Sequence, residues 1–277
     1  MEILASLTFI ERGIVAAVLI GFVCPILGAF LLVRRMSIIS ESLSHITLTG
    51  ISVGLLLSQT VTYFSVINPL YVGLVFALVG SLLIERLRQV YPSFQELAIP
   101  IILSTGIGMS AIIMSISRSG YNEWFAYLFG SIVSVTLEDL YFMIAISIAV
   151  LIIVIFFYKE FVAISFDREY AKVSGISIKK MNFVFSLLVA LVIALSMKVV
   201  GILLVGAMVV LPVAAAVQLA KSFKKLIFLG ILFGQIAMGS GIYFSYHLNI
   251  ATGGVIVLSA VIILIISILA KKVVSSR

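Results

Sequence analysis

The chain has 277 residues, of which 63% are hydrophobic and only 10% charged. Soluble globular proteins carry roughly 45–50% apolar and about 25% charged residues, so a disordered chain, a disulfide scaffold and an ordinary cytosolic enzyme are excluded. The formal net charge of +7 sits in short basic clusters between apolar runs, which reads as membrane topology rather than a nucleic-acid patch.

Backbone groups cannot go unpaired in lipid, so the spans are helices or a closed barrel. The apolar runs are continuous rather than alternating, which excludes the barrel. A crossing helix needs about 20 apolar residues. In chain order the spans are 13–33, 37–58, 67–85, 96–117, 140–158, 181–198, 199–211, 226–247 and 252–270. The fold class is therefore all-α, a polytopic integral membrane protein of eight or nine helices. The count turns on Val199–Ala220, which is charge-free but interrupted by Pro212. Proline inside a helix removes a backbone donor, so a short span followed by a separate helix is expected there.

Several local features fall along these spans. Cys24, the single cysteine, lies in an apolar run and reads as a core residue; no intrachain disulfide can form. Tyr121–Gly130 holds the only tryptophan and four other aromatics, and is expected to be an interfacial helix. Gly230 and Gly234 form a GxxxG pattern, with Gly239 and Gly241 beyond it, and Gly201 and Gly206 precede it. Such residues allow close helix approach, either within one subunit or along a dimer seam. No repeat, low-complexity tract or soluble domain is visible, and residues 1–277 read as one transmembrane domain. The N-terminal stretch lacks a basic region and a small-residue cleavage site, so the first span is expected to be retained.

Lys and Arg concentrate on cytoplasmic loops. With the C-terminus inside, every basic residue except Arg12, Arg118 and Lys198 falls on the cytoplasmic side. Nine crossings would then leave the N-terminus outside.

One place breaks the apolar rule. Glu41 and His45 lie four residues apart in the second span and share a helix face. Counted from Arg35, they lie about 9 Å and about 15 Å into the membrane. Ser37, Ser44 and Ser52 are expected to extend the same polar stripe. Ionisable residues at such depth are expensive and mark function by default. Three readings stay open: an interhelical hydrogen-bond lock, a proton relay, and a transient metal site. An imidazole and a carboxylate suit zinc and manganese, but two ligands do not close a tetrahedral site. A two-fold homodimer would supply two copies of each. An incomplete shell also suits transport, because a conducting site must release its ion.

Nothing else competes. His247, near Asn249, reads as interfacial. There is no phosphate-binding GxxxxGK[ST] loop, no HExxH and no Ser/His/Asp arrangement. Glu41 is the only embedded carboxylate the pattern reveals, which leaves no aspartyl dyad for intramembrane proteolysis. Two cytoplasmic segments exceed mere connectors. In Ser165–Gly175, Asp167 can cap a helix that Gly175 ends. In Leu211–Lys225, Pro212 can open a short Ala-rich helix with a basic last turn.

Four stretches taken together resemble one family. RRMSIISESLSHITLTG (Arg34–Gly50), YLFGSIVSV (Tyr127–Val135), SFDREYAKVSG (Ser165–Gly175) and VVGILLVGAMVVLPVAAA (Val199–Ala216) are similar to the zinc/manganese permeases of ATP-binding-cassette importers. The order is the family's and the likeness covers essentially the whole chain. The zinc-uptake permeases of Gram-positive bacteria look nearest, through SESLSHITLTG and LPVAAAVQLAKSF. The resemblance implies a homodimeric permease, usually of eight helices per chain, in a bacterial plasma membrane. A two-subunit ATPase would lie beneath it, and a metal-binding lipoprotein or periplasmic protein would deliver the ion. The family's intramembrane Asp and His fall on Glu41 and His45; the glutamate adds a methylene of reach. Thr49 stands where many members have proline. Leu211, Pro212, Ala216 and Lys221 would belong to the ATPase-coupling helix, with Asp167 and Gly175 in a second coupling segment.

The expected function is inward transport of a divalent metal, with zinc first and manganese or iron as the alternative within the class. The metal is cargo, and no permanently bound cofactor is implied. A proton-coupled secondary transporter, with Glu41 carrying the proton, is the alternative outside the class. No reaction is expected in this chain itself, ATP hydrolysis belonging to the partner subunit.

Overall fold

Lipid offers a backbone no partner outside its own helix, and the chain answers with helices joined by short connections. The computed structural model describes residues 7–60, 68–117 and 126–275, and no strand occurs among them. Nine long helices follow in order: α1 (Phe9–Val33), α2 (Ile38–Thr60), α3 (Pro69–Val90), α4 (Ala98–Ile116), α5 (Leu137–Phe156), then α8 (Ile178–Val200), α9 (Ile202–Leu219), α10 (Phe223–Leu248) and α11 (Thr252–Ser275). Between α5 and α8 come two short helices, α6 (Tyr158–Phe166) and α7 (Arg168–Val173). Eight of the long helices are apolar enough to cross a membrane, and α2 is set apart by polarity rather than by length.

Burial orders the bundle. Helices α1 and α8 are each 72% buried along their most apolar stretch, whereas α11 is 22% buried, so α1 and α8 form the centre and α11 an edge. Helix α2 packs against α3, α4, α8 and α9, and α1 against α9 and α10. The Gly230/Gly234 pattern serves packing within the chain, because a side chain on Gly234 would collide with the Gly21 carbonyl and Pro25 of α1. Cys24 is fully buried, its Sγ 3.3 Å from the Ser196 hydroxyl.

Successive long helices run in opposite directions, which gathers the basic connections at one end. There Phe30 meets the rings of Tyr158, Phe161, Phe185 and Phe223 edge-on, at centroid distances of 5.0–6.2 Å. Lys271 donates to Gln218 across the same end. Helix α7 has the caps the sequence predicts: Asp167 accepts from the Tyr170 amide at 2.9 Å, and Gly175 takes φ +81.

The opposite end corrects two sequence expectations. The break in Val199–Ala220 falls at Gly201, with φ +87, and Pro212 lies inside a continuous α9. Gly201 is forced by its neighbours, since a side chain there would strike the backbone of Phe129 and Gly130. Gly253 closes the same knot, standing against the carbonyls of Val200 and Phe129, while Ser131 donates to the Lys198 carbonyl at 2.9 Å. Pro212 opens no separate helix because α9 runs through it to Leu219, and Gly28 of α1 fits against the adjacent Val209 carbonyl. Leu211–Lys225 is thus the end of α9, the turn Ala220–Ser222 and the start of α10.

Glu41 is also not the sole embedded carboxylate. Asp139, in the first turn of α5, is 4% exposed and pairs with Lys198 of α8. Its other oxygen accepts from Asn68 at 3.1 Å, and it forms a capping box with Thr136. Of the Tyr121–Gly130 segment, 121–125 lie outside the described residues; 126–129 are helical.

Two stability outcomes follow from these contacts. Gly201→Ala is expected to prevent accumulation of folded protein, because φ +87 with extended ψ is open essentially to glycine alone. Gly254→Ala, which meets nothing within 4 Å, should leave the melting temperature in detergent unchanged. Asp139→Ala strands Lys198 and should cost about 3–5 kcal/mol, with the double replacement Asp139→Leu/Lys198→Met recovering most of it. The amount of folded protein recovered from membranes checks the first, and thermal unfolding of the purified variants the others.

Candidate functional site

Helix α2 solves a local problem, being polar yet enclosed. Ser40, Ser42, Ser44, Thr47, Thr49 and Ser52 are all buried. Ser44, Thr47 and Ser52 donate to the carbonyls of Ser40, Leu43 and Leu48 at 2.6–2.8 Å, one turn back along their own helix. Such short hydroxyls satisfy themselves locally. Ser44 and Ser52 are buried, so they add nothing to the open part of the Glu41–His45 face, whereas Ser37 lines a cleft beside Glu41.

Two hydroxyls reach further, and both anchor α2 to α4. Ser42 donates to the Ile99 carbonyl at 3.2 Å. Thr49 lies between two carbonyls, His45 at 3.1 Å and Gly106 at 2.9 Å. Gly106 permits this closeness: a side chain there would stand 2.9 Å from the His45 carbonyl carbon and 3.2 Å from its Cβ. The backbone of His45 is thereby clamped from behind. Thr49, at a position the resemblance gives to proline, supplies a hydroxyl to the clamp.

The front of the helix is open. Glu41 is exposed, in the first turn of α2, where a carboxylate complements the positive end of the helix. His45 is half-buried, one turn on, and its Nδ1 is buried with no hydrogen-bond partner. The helix starts at Ile38, which puts His45 about 10 Å along an axis of about 34 Å. Beside Glu41 lies a cleft of about 350 Å³, walled by Ser37, Ile202, Gly206, Val210 and Leu211. Gly206 of α9 stands beside Glu41 with room to spare, since even a methyl there would make only ordinary contact, 3.7 Å from Glu41 Cβ.

Chemically, the face offers one hard carboxylate and one imidazole nitrogen. No group of three or more metal-binding side chains occurs among the described residues. Glu41 and His45 are thus two candidate ligands on one helix, with no third beside them among the described residues. The residues assigned to coupling are not gathered in one place. Leu211 lines the Glu41 cleft, and Pro212 and Ala216 are buried, Ala216 in a small cluster with Ala29 and Leu226. Lys221 is exposed in the α9–α10 turn, and Asp167 and Gly175 bound the exposed helix α7. His247 is exposed, its Nδ1 2.9 Å from the Tyr243 carbonyl and its ring between Tyr243 and Tyr246.

Gly106 and the Asn68–Asp139–Lys198 group escape sequence reasoning, which names Gly206 only as a packing glycine and not as a neighbour of Glu41. The serine, threonine and two glycines of STGIG (Ser104–Gly108) were a visible sign that α4 approaches something closely. Nothing in the pattern says that the neighbour is His45.

The model of the ABC 3 transport family matches residues 6–271. A protein of Treponema pallidum (strain Nichols) named "Probable metal transport system membrane protein" is 31% identical over 97% of this chain and 98% of its own. The manganese transport system membrane protein MntC of Listeria monocytogenes is 31% identical, over 97% of this chain and 93% of that one. Among solved structures, PsaBC from Streptococcus pneumoniae in complex with Fab superposes with a TM-score of 0.82 at 28% identity, covering 95% of this chain and 92% of that one. The fold, the order of the motifs and these likenesses agree: the chain belongs to the ABC 3 transport family, as a membrane permease separate from the ATPase.

Proposed function

We propose that this permease carries a divalent transition-metal ion inward past Glu41 and His45, in a homodimer whose two α2 faces together complete the ion's shell. The observation that carries this reading is the unpartnered Nδ1 of His45 on an otherwise saturated helix. Ser42, Ser44, Thr47, Thr49 and Ser52 each donate to a carbonyl, while the imidazole and the Glu41 carboxylate are left to bind an ion. A lock between helices would have used them.

Zinc stands first from the sequence and manganese second. The relatives reverse that order: MntC of Listeria monocytogenes and ScaB of Streptococcus gordonii are both named for manganese. A carboxylate oxygen and an imidazole from each of two chains make a harder donor set than zinc's thiolate-rich sites, which also favours manganese. ATP binding in a separate ATPase dimer at the basic, cytoplasmic end would rock the helices, and an extracellular binding protein would supply the ion. The excess of Lys and Arg at the end holding the C-terminus supports that orientation in a bacterial plasma membrane.

Cell-associated manganese and zinc during metal-limited growth test this directly. His45→Ala and Glu41→Gln, at equal membrane expression, should each lower manganese accumulation at least tenfold, and zinc should compete only in excess. Normal uptake of both metals in His45→Ala would make the imidazole structural and end the proposal. Gly106→Val leaves both ligands in place but pushes on the His45 backbone. It should lower uptake by about 10–100-fold, the loss usual when a ligand's support is disturbed. Uptake equal to wild type would mean that the clamp is not needed.

A further inference from the structure

The basic end holds a second polar place, unrelated to the ion path. A cavity of about 210 Å³ opens among Arg34, Arg35, Arg88, Arg168, Ser165 and Asn182. Four arginines from three segments line one space.

Three of the arginines are held there by different contacts, and among the described residues only Arg88 has a carboxylate within reach. Arg34 follows the last residue of α1; its Nε donates to Ser165 Oγ at 2.9 Å, its Nη1 to Asn182 Oδ1 at 3.4 Å and its Nη2 to the Phe161 carbonyl at 3.3 Å. Its guanidinium lies 4.3 Å from the centre of the Phe185 ring. All of these partners are neutral. Burial first, then the charges of Arg168 and Arg88, push the Arg34 guanidinium down to about 10, so it is still charged at neutral pH. Arg88 has a side chain only 15% exposed, and its one carboxylate neighbour is Glu85 at 3.9 Å. Its Nε is buried and donates to no acceptor. Arg35 holds φ +55 at the end of α1, where Met36 donates back to the Leu31 carbonyl. Glycine is the usual residue at such a position, and the arginine there bears backbone strain.

Partly buried like charges repel unless something negative lies among them. Planar guanidinium forks bind the paired oxygens of carboxylates and phosphates, and a tetrahedral phosphate can take several forks at once. The height fits as well, because Arg34 adjoins the end of α1 and Arg88 lies in the last turn of α3, at the boundary where lipid headgroups lie. We infer that this cavity binds a phosphate oxyanion, supplied by the headgroup of an anionic phospholipid in the adjoining leaflet or by phosphate from solution.

The test uses the full-length permease purified in neutral detergent, titrated with phosphatidylglycerol, with phosphatidylcholine, and with inorganic phosphate against chloride at equal ionic strength. Thermal unfolding reports occupancy. Wild type and Arg86→Gln, whose side chain is exposed and outside the cavity, should be stabilised by phosphatidylglycerol and not by phosphatidylcholine. Arg88→Gln should weaken the apparent affinity about tenfold, the loss of roughly 1.4 kcal/mol expected of one charged contact. Arg168→Gln, exposed and beyond the spans, gives the same reading should Arg88→Gln fail to accumulate. Stabilisation by inorganic phosphate with the same dependence on Arg88 or Arg168, and no advantage for the lipid, would assign the site to a soluble phosphate. Equal responses in wild type and the cavity variants, or no difference from phosphatidylcholine and chloride, would overturn the inference. So would variants that lose only their co-purifying ATPase, which would give the cavity to a protein carboxylate.

Discussion

A polar group inside a membrane must find its partner within the protein, and helix α2 shows what that demand produces. Its hydroxyls turn back to carbonyls one turn behind or across to α4, and this exhausts the helix's polar surface except at Glu41 and His45. The saturation lets so polar a helix lie among α3, α4, α8 and α9. It also makes the two remaining groups conspicuous, because everything around them is already satisfied.

The two ends of the bundle are fastened by different physics. At the basic end the rings around Phe30 tie α1 to α6, α8 and α10 by large, non-directional contacts. At the other end backbone meets backbone: Gly130, Gly201 and Gly253 bring three segments closer than any side chain would allow. The Asp139–Lys198 pair adds a directional tie beside them. Aromatic packing tolerates small rearrangement, whereas a glycine knot does not.

Much of this was legible in the sequence where the cause is local. Span lengths follow from apolar runs, the caps of α7 from Asp167 and Gly175, and the Glu41–His45 face from a spacing of four. The misreadings concern residues whose partners lie far along the chain. Pro212 looked like the break because proline's effect is intrinsic, yet α9 absorbs it. Gly201 is the break because Phe129 and Gly130, some seventy positions earlier, leave no room for a side chain. Asp139 goes unmarked in the sequence because its partner, Lys198, lies 59 residues on. Ser44 and Ser52 are closed off, and counting turns gives a residue's place on its own helix and not which stretch of that face the neighbouring helices cover.

The position of the break gives α9 a mechanical property. The helix is fixed at Gly201, passes Glu41 at Gly206 and ends at Leu219 in the turn that carries Lys221. At 1.5 Å per residue, Gly206 is about 7.5 Å from that fixed point and Leu219 about 27 Å. Any tilt of α9 as a rigid rod about Gly201 therefore moves its basic end nearly four times as far as it moves the wall of the cleft. A coarse displacement at the surface is geared down to a fine one beside the carboxylate, and a fraction of an ångström there is the scale on which a coordination shell opens or closes.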